Sequence, residues 1–294
     1  MGLVNLFFFC YNINGDIMRY SPKAMQEQIK NNGFYLKKKF GQNFIIDENI
    51  IHNIVDKTAL DKDTMVIEIG PGAGSLTYKL AETCENVLCY EIDRTLEGIL
   101  KENLGTLNNV DIVFEDFLRA DVQNRLKEYE FKNLYVVANL PYYVTTPIIM
   151  KIIEDKIPVD KIVIMVQKEV GDRFKASPNS KDYNSLSVYL EYYYEISKLM
   201  DVSRNVFIPK PNVDSIVVCL KRRKEHFKVK NEELFFKLVK DSFKQKRKNL
   251  RNNLKGYDLA KIEKELERHN LDLNVRAENL PIEIFIGIAN SLEG

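Results

Sequence analysis

The chain has 294 residues, 45% of them hydrophobic and 29% charged, enough for one large domain or two moderate ones around a sizeable core. A formal net charge of +1 excludes bulk charge as a guide to partners, so any nucleic-acid signal has to come from local clustering. Four cysteines (Cys10, Cys84, Cys89, Cys219) and three histidines (His52, His226, His269) show no metal-ligand spacing, so reduced thiols in a cytoplasmic protein without a metal are expected.

The chain opens on "MGLVNLFFFCYNINGDI". Its apolar run Leu3–Cys10 is too short to span a bilayer, and neither a basic leader nor a small-residue cleavage site accompanies it. The expectation is that Met18 is the native start, that residues 1–17 are an extension, and that no membrane is involved. Ser21-Pro22 and Gly33 bracket a predicted helix over 21–36. Asp47 is placed to cap a helix from about Glu48 to Ala59, with Ile50, Ile51, Ile54 and Val55 on one face. Strands are then expected at "TMVIEIG", "NVLCYEID", "VDIVFEDF", "LYVVAN" and "DKIVIMVQ", with helices after the glycine turn, at "RTLEGILKENLG", "PIIMKIIED" and "KEVGDRFKA". Two more strands are predicted at "SLSVYLEYYYEI", where Val188–Tyr194 reads as half-buried, and at "SIVVCLKR", as a closing hairpin. From about Asn231 the chain turns helical and basic, in "NEELFFKLVKDSFKQKRKNLRNNL", "DLAKIEKELERHN" and "PIEIFIGIANSL". The pattern predicts an α/β fold over 18–225, doubly wound on a mostly parallel seven-stranded sheet, followed by a small all-α domain over 226–294.

The first motif is "VIEIGPGAGSLTYKL", a strand running through Gly70, Gly72 and Gly74 into a helix. Glycines permit a tight turn and close approach of a ligand to the backbone. The spacing G-x-G-x-G departs from the dinucleotide fingerprint, which disfavours a nicotinamide oxidoreductase. Glu91, about twenty residues on at the end of the next strand, can accept hydrogen bonds from both ribose hydroxyls of an adenosine-type ligand. Asp116, ending the strand after that, is placed to meet an adenine amino group. A turn selected only for helix–sheet packing would not need three glycines followed by two strand-ending acids.

The second motif is "VVANLPYYVTTPIIMK", Val136–Lys151. The side-chain oxygen of Asn139 and a backbone carbonyl can both accept from an exocyclic amino group, Pro141 stiffens the loop, and the Tyr142 ring can stack on a base. Alone, the stretch reads equally well as a rigid strand-to-helix turn with tyrosines filling space. At the carboxyl end of a strand beside the glycine turn, the binding reading prevails.

Together with GQNF (Gly41–Phe44), EIGPGAG, YEID, EDF, QKEVGDRF, PNSKDYNSLSVYLEYYY, FIPKPNVDSIVV and FKQKRKNLRNNL, the loop resembles the ribosomal RNA adenine dimethyltransferases of the KsgA/RsmA type over about residues 35–255. Macrolide-resistance methylases of large-subunit rRNA share the pocket but usually carry Asn-Ile-Pro and lack the Val-Asp-Ser element. The resemblance implies an S-adenosylmethionine-dependent enzyme, without a metal, that places two methyl groups on each of two adjacent adenosines near the 3′ end of small-subunit rRNA. It implies donor contacts from Asn43, Ile45, Gly70, Gly72, Glu91, Ile92, Asp116, Phe117 and Asn139. It further implies that Asn139, Leu140 and Tyr142 hold the target adenine while Phe207 covers its other face. The partner would be the small ribosomal subunit and its rRNA, met by a monomer through the C-terminal cations Lys244, Lys246, Arg247, Lys248 and Arg251. That basic cluster suits phosphate contacts, although a charge run alone is more often a solvated helix face. The rival readings are a large-subunit methylase and a mainly non-catalytic assembly factor.

Overall fold

The computed structural model describes residues 43–141, 143–225 and 227–293; the expected extension over 1–17 and helix over 21–36 lie outside them. In chain order the strands are β1 (Phe44–Ile45), β2 (Thr64–Ile69), β3 (Asn86–Tyr90), β4 (Val110–Val113), β5 (Asn133–Asn139), β6 (Lys161–Gln167), β7 (Tyr194–Val202), β8 (Phe207–Ile208) and β9 (Ser215–Arg222). The α-helices are α1 (Glu48–Thr58), α2 (Ser75–Thr83), α3 (Glu97–Leu104), α4 (Val122–Leu126), α5 (Thr145–Glu154), α6 (Lys168–Phe174), α7 (Ser185–Tyr193), α8 (Glu232–Ser242), α9 (Leu250–Asn253), α10 (Leu259–Glu267) and α11 (Ile282–Leu292).

Seven strands form one sheet in the order β4-β3-β2-β5-β6-β9-β7, and β2 pairs in parallel with both β3 and β5. The β3–β4 and β5–β6 pairs are parallel as well. Every residue of β2 is buried, as a central strand covered on both faces requires. The chain lays β3 and β4 on one side of β2 and returns to lay β5 and β6 on the other. The reversal leaves a crevice at the carboxyl ends of β2 and β5, where open α/β sheets bind ligands. A separate antiparallel pair, β1 with β8, sets Phe44 opposite Ile208 and Ile45 opposite Phe207.

Asp47 caps α1 as its sequence implies, its side chain accepting from the backbone N–H groups of Asn49 and Ile50. Ile51, Ile54 and Val55 are buried on that helix. The contacts divide the described chain into two compact units, one reaching to Gln167 and including Leu199–Val217, the other made of Lys168–Lys198 and everything from Val218 on. In the second unit Phe235, Leu238, Ile262, Leu266, Phe285 and Ile288 are wholly buried and form the apolar interior of its helices.

Two expectations are corrected. Val188–Tyr194 is not a half-buried strand: residues 185–193 form α7, and β7 begins only at Tyr194. Asn184 nucleates the helix through a capping box, accepting from Leu186 N–H while Ser187 Oγ accepts from Asn184 N–H. The tyrosines are satisfied by distant partners: Tyr189 donates to the Phe236 carbonyl at 2.9 Å, and Tyr192 to Glu232 at 2.7 Å. The basic run after Asn231 is likewise not one continuous helix. α8 stops at Ser242, a turn follows, and Asn249 caps the short α9 by accepting from Asn252 N–H.

Candidate active site

The pocket belongs to the first unit and sits at the crevice between the carboxyl ends of β2 and β5. Its walls include Asn43, Phe44 and Ile45 from β1 and its approach, Gly70 and Gly72 after β2, Glu91 and Ile92 after β3, Asp116 and Phe117 after β4, and Asn139 and Leu140 at the end of β5. All nine residues implied for the donor therefore meet in one cavity. Because β2, β3, β4 and β5 pair in parallel, each acid reaches the same edge of the sheet, so residues far apart in sequence share one rim.

The glycine turn is left-handed at Gly70, Gly72 and Gly74, with φ of +74°, +60° and +87°. A β-carbon at Gly70 would meet nothing within 4 Å, so glycine there serves the backbone conformation and an open cradle. At Gly72 it would come within 2.9 Å of the Phe44 ring, so that position also needs the missing side chain for space. The turn hands the chain to α2, whose first residue Ser75 also lines the pocket.

Glu91 is buried and held on both oxygens: Oε1 accepts from Asp93 N–H at 2.8 Å and Oε2 from Gly72 N–H at 3.3 Å. Burial raises its pKa, and these backbone donors partly offset the rise. The glycine turn and the acid are thus one hydrogen-bonded piece. Ile92, beside it, is 51% exposed on the pocket wall. Asp116 uses Oδ1 to accept from Leu118 N–H at 3.0 Å, and Phe117 is buried edge-on against Tyr90. An exposed aliphatic side chain, a carboxylate and an aromatic pair together make an apolar slot with one polar edge.

Asn139 is the last residue of β5. Its Nδ2 donates to the Asn43 carbonyl at 2.9 Å, which commits the amide nitrogen and leaves Oδ1 as the acceptor. Leu140 is buried at the pocket, whereas Tyr142 lies outside the described residues. Phe207 is 3% exposed, opposite Ile45 in the β1–β8 pair, and it is not among the pocket walls.

The five C-terminal cations belong to the second unit. Lys244, Lys246, Arg247 and Lys248 are exposed on the turn between α8 and α9, and Arg251 is exposed on α9, 3.3 Å from Glu263. No cluster of His, Cys, Asp and Glu able to hold a metal occurs among the described residues, and no described helix is long and apolar enough to cross a membrane.

Sequence reasoning missed Glu68, which is wholly buried on β2 and lines the pocket. Burial pushes its carboxyl up to about 8, and the Glu91 carboxylate acts in the same direction. The available signal was a charged residue in the middle of "VIEIG", on a strand buried on both faces. Phe44, Tyr90 and Tyr143 also line the pocket without having been singled out, and Tyr143 is 62% exposed there.

Comparison with known proteins gives this geometry a family. The sequence profile of "Ribosomal RNA adenine dimethylase" matches residues 33–293. The chain is 47% identical over 279 residues to "Ribosomal RNA small subunit methyltransferase A" of Alkaliphilus oremlandii (strain OhILAs), covering 92% of this chain and 97% of that protein. Among solved structures it is similar to the 23S rRNA methyltransferase ErmE, with a TM-score of 0.66, 26% identity, and coverage of 85% of this chain and 100% of that one. A dimethyladenosine transferase from Plasmodium falciparum shares the fold at a TM-score of 0.70 and 23% identity, over 83% of this chain and 95% of that one. With the profile running across nearly all of the chain and a relative almost half identical along nearly its whole length, the chain belongs to the ribosomal RNA adenine dimethylase family.

Proposed function

We propose that this protein dimethylates the exocyclic amino groups of two adjacent adenosines near the 3′ end of small-subunit rRNA, with S-adenosylmethionine as methyl donor. The observation that carries the reading is the Asn139 amide, fixed by Asn43 at 2.9 Å with its oxygen uncommitted at the pocket. The choice of small over large subunit is supported by 47% identity to a small-subunit methyltransferase against 26% to a 23S rRNA enzyme.

The pocket fits the donor. Glu91 offers a buried carboxylate for a ribose diol, Ile92 an exposed apolar face for an adenine ring, and Asp116 an acceptor for its amino edge. Gly70 and Gly72 allow close backbone approach, and Asn43 and Ile45 close the β1 side. The bound donor supplies an electrophilic methyl group on a sulfonium centre.

What the chain contributes is orientation and fixed dipoles. An adenine amino nitrogen is a poor nucleophile because its lone pair is delocalised into the ring. Oδ1 of Asn139 and the Leu140 carbonyl, accepting from the two N–H groups, favour a more tetrahedral nitrogen and free that lone pair. As positive charge develops on nitrogen, these oxygens already point at it, so little reorganisation is needed in the reaction. Pro141 restricts the loop and keeps both acceptors aimed. Tyr142 stacks on the base, while Phe207, buried opposite Ile45 and off the pocket walls, is given no contact with it. No side chain has to act as a general base, because the proton on the product amine is acidic enough to leave to water. The exposed cations of the second unit engage rRNA phosphates. On this reading the protein works as a monomer in the cytoplasm on the small ribosomal subunit.

The test is methyl transfer from labelled S-adenosylmethionine to purified unmethylated small and large subunits, with the modified bases mapped. Dimethyladenosine at two neighbouring positions of the small subunit is expected, and label confined to the large subunit would overturn the reading. Asn139→Ala should lower the rate by at least ~100-fold while donor binding persists in part.

A further inference from the structure

The basic turn between α8 and α9 does not stand alone. Asn253 Nδ2 donates to the Ser242, Gln245 and Lys248 carbonyls at 2.7, 3.3 and 3.4 Å, tying one amide to both ends and the middle of the turn. A second segment of the same unit, residues 177–183, joins it from 65 positions upstream. Lys246 Nζ donates to the Lys181 carbonyl at 2.5 Å. Tyr183, wholly buried, packs edge-on against Phe243, the first residue of the turn, with ring centroids 6.0 Å apart. The far end of this loop is anchored too: Asn179 N–H donates to the Glu278 carbonyl, and Asn279 Nδ2 to Asn179 Oδ1, both at 2.8 Å.

This framework leaves the Lys181 side chain exposed next to the cationic turn. The stretch Phe243–Arg251, "FKQKRKNLR", carries five cations and no acid. The flanking acids have other partners among the described residues. Asp182 lies 3.7 Å from Arg173 and Asp241 accepts from the Tyr257 hydroxyl at 2.8 Å, whereas Glu263, 3.3 Å from Arg251, offsets only the last cation of the stretch. The bond to the Lys181 backbone carbonyl therefore joins a segment carrying one exposed lysine to a turn carrying several, so that cations from two parts of the sequence share one surface.

We propose that the 177–183 loop and the 243–249 turn form one preassembled phosphate-binding surface for rRNA, in which Lys181 is a further phosphate contact and Lys246 is the strut that positions it. This rests on the rRNA-methylating reading and extends its RNA-contacting surface to a segment outside the C-terminal basic run. A surface held by backbone-directed bonds needs little ordering on binding, and its contribution scales with the counterions that it displaces.

The experiment is binding of the full-length protein to purified small ribosomal subunits across a salt series, for the parent, Lys181→Gln, Lys181→Arg and Lys246→Gln. Binding of S-adenosylmethionine and thermal unfolding serve as controls for folding. Loss of one phosphate contact lowers the slope of log affinity against log salt by about 0.7–0.9. Lys181→Gln should show that decrease, Lys181→Arg should restore it, and Lys246→Gln should lose more than one contact because it also releases Lys181. A folded Lys181→Gln protein with the parent's slope and affinity overturns the proposal, while methylation of the small subunit by the parent leaves the functional reading standing. A parent protein that neither binds nor methylates small subunits overturns both.

Discussion

Glu68 supplies a stability switch whose size follows from its surroundings. It sits at 1% exposure on the central strand, no Lys, Arg or His among the described residues lines the pocket beside it, and the Thr77 hydroxyl and the Cys89 thiol, 3.8 Å from Oε2, only partly offset the burial. Burial therefore lifts its carboxyl from 4.5 to about 8, a shift equivalent to about 5 kcal/mol between the neutral and ionised forms. Because the folded pKa is the higher one, the native state holds an extra proton between those values. The associated stability is fully present below pH 4.5, declines by about 1.4 kcal/mol per pH unit, and levels off above about pH 8. Glu68→Gln keeps the shape of the neutral acid and cannot titrate. Urea unfolding followed by far-UV circular dichroism, suitable for a chain with no tryptophan, would be run at pH 6 and pH 8 on both proteins. The parent should lose about 2–3 kcal/mol more than the variant over that interval. Equal pH slopes in the two proteins would refute the assignment of a buried neutral carboxyl, whatever their absolute stabilities.

Gly72→Ala forces an L residue into a φ of +60° and sets a methyl group 2.9 Å from the Phe44 ring, so backbone strain of about 1–2 kcal/mol adds to a displaced pocket wall. Calorimetric titration with S-adenosylmethionine should show at least ~10-fold weaker binding, and unchanged affinity would argue that the donor does not approach this turn. Asn184→Ala removes the capping box of α7 and should cost about 1 kcal/mol in thermal unfolding, whereas Asn184→Asp keeps a capping oxygen and should stay near the parent. A loss as large for Asp as for Ala would mean that the side chain acts here through its amide donor, which reaches the Asp182 carbonyl at 2.8 Å.

Much of the first unit could be read from local sequence because each signal there is self-contained. Asp47 caps whatever apolar-periodic segment follows it, the three glycines permit one kind of turn, and apolar runs of strand length alternate with helical periodicity. These features also placed Glu91, Asp116 and Asn139 at strand ends, and a parallel sheet with a switch point then brings strand ends to one rim. Other decisions needed partners far away in the chain. The tyrosine-rich stretch has strand-like composition, yet hydrogen bonds from Tyr189 to Phe236 and from Tyr192 to Glu232 are reached from a helix that Asn184 starts. The basic run looks helical throughout, but Asn253 folds back on three carbonyls and Lys246 reaches Lys181, so its middle becomes a turn. Phe207 was singled out for its ring, and only the pairing of β1 with β8 decides that this ring is buried opposite Ile45. Glu68 shows the same division. Its charge is visible in "VIEIG", but the rise of its pKa is decided by the layers that close over both faces of β2, with no cation beside it among the described residues that line the pocket. The sequence by itself determined the alternating strands and helices of the parallel sheet and the residues at those strand ends; the tertiary structure decided burial, pairing and the helix at 185–193, because these depend on groups that local sequence does not contain.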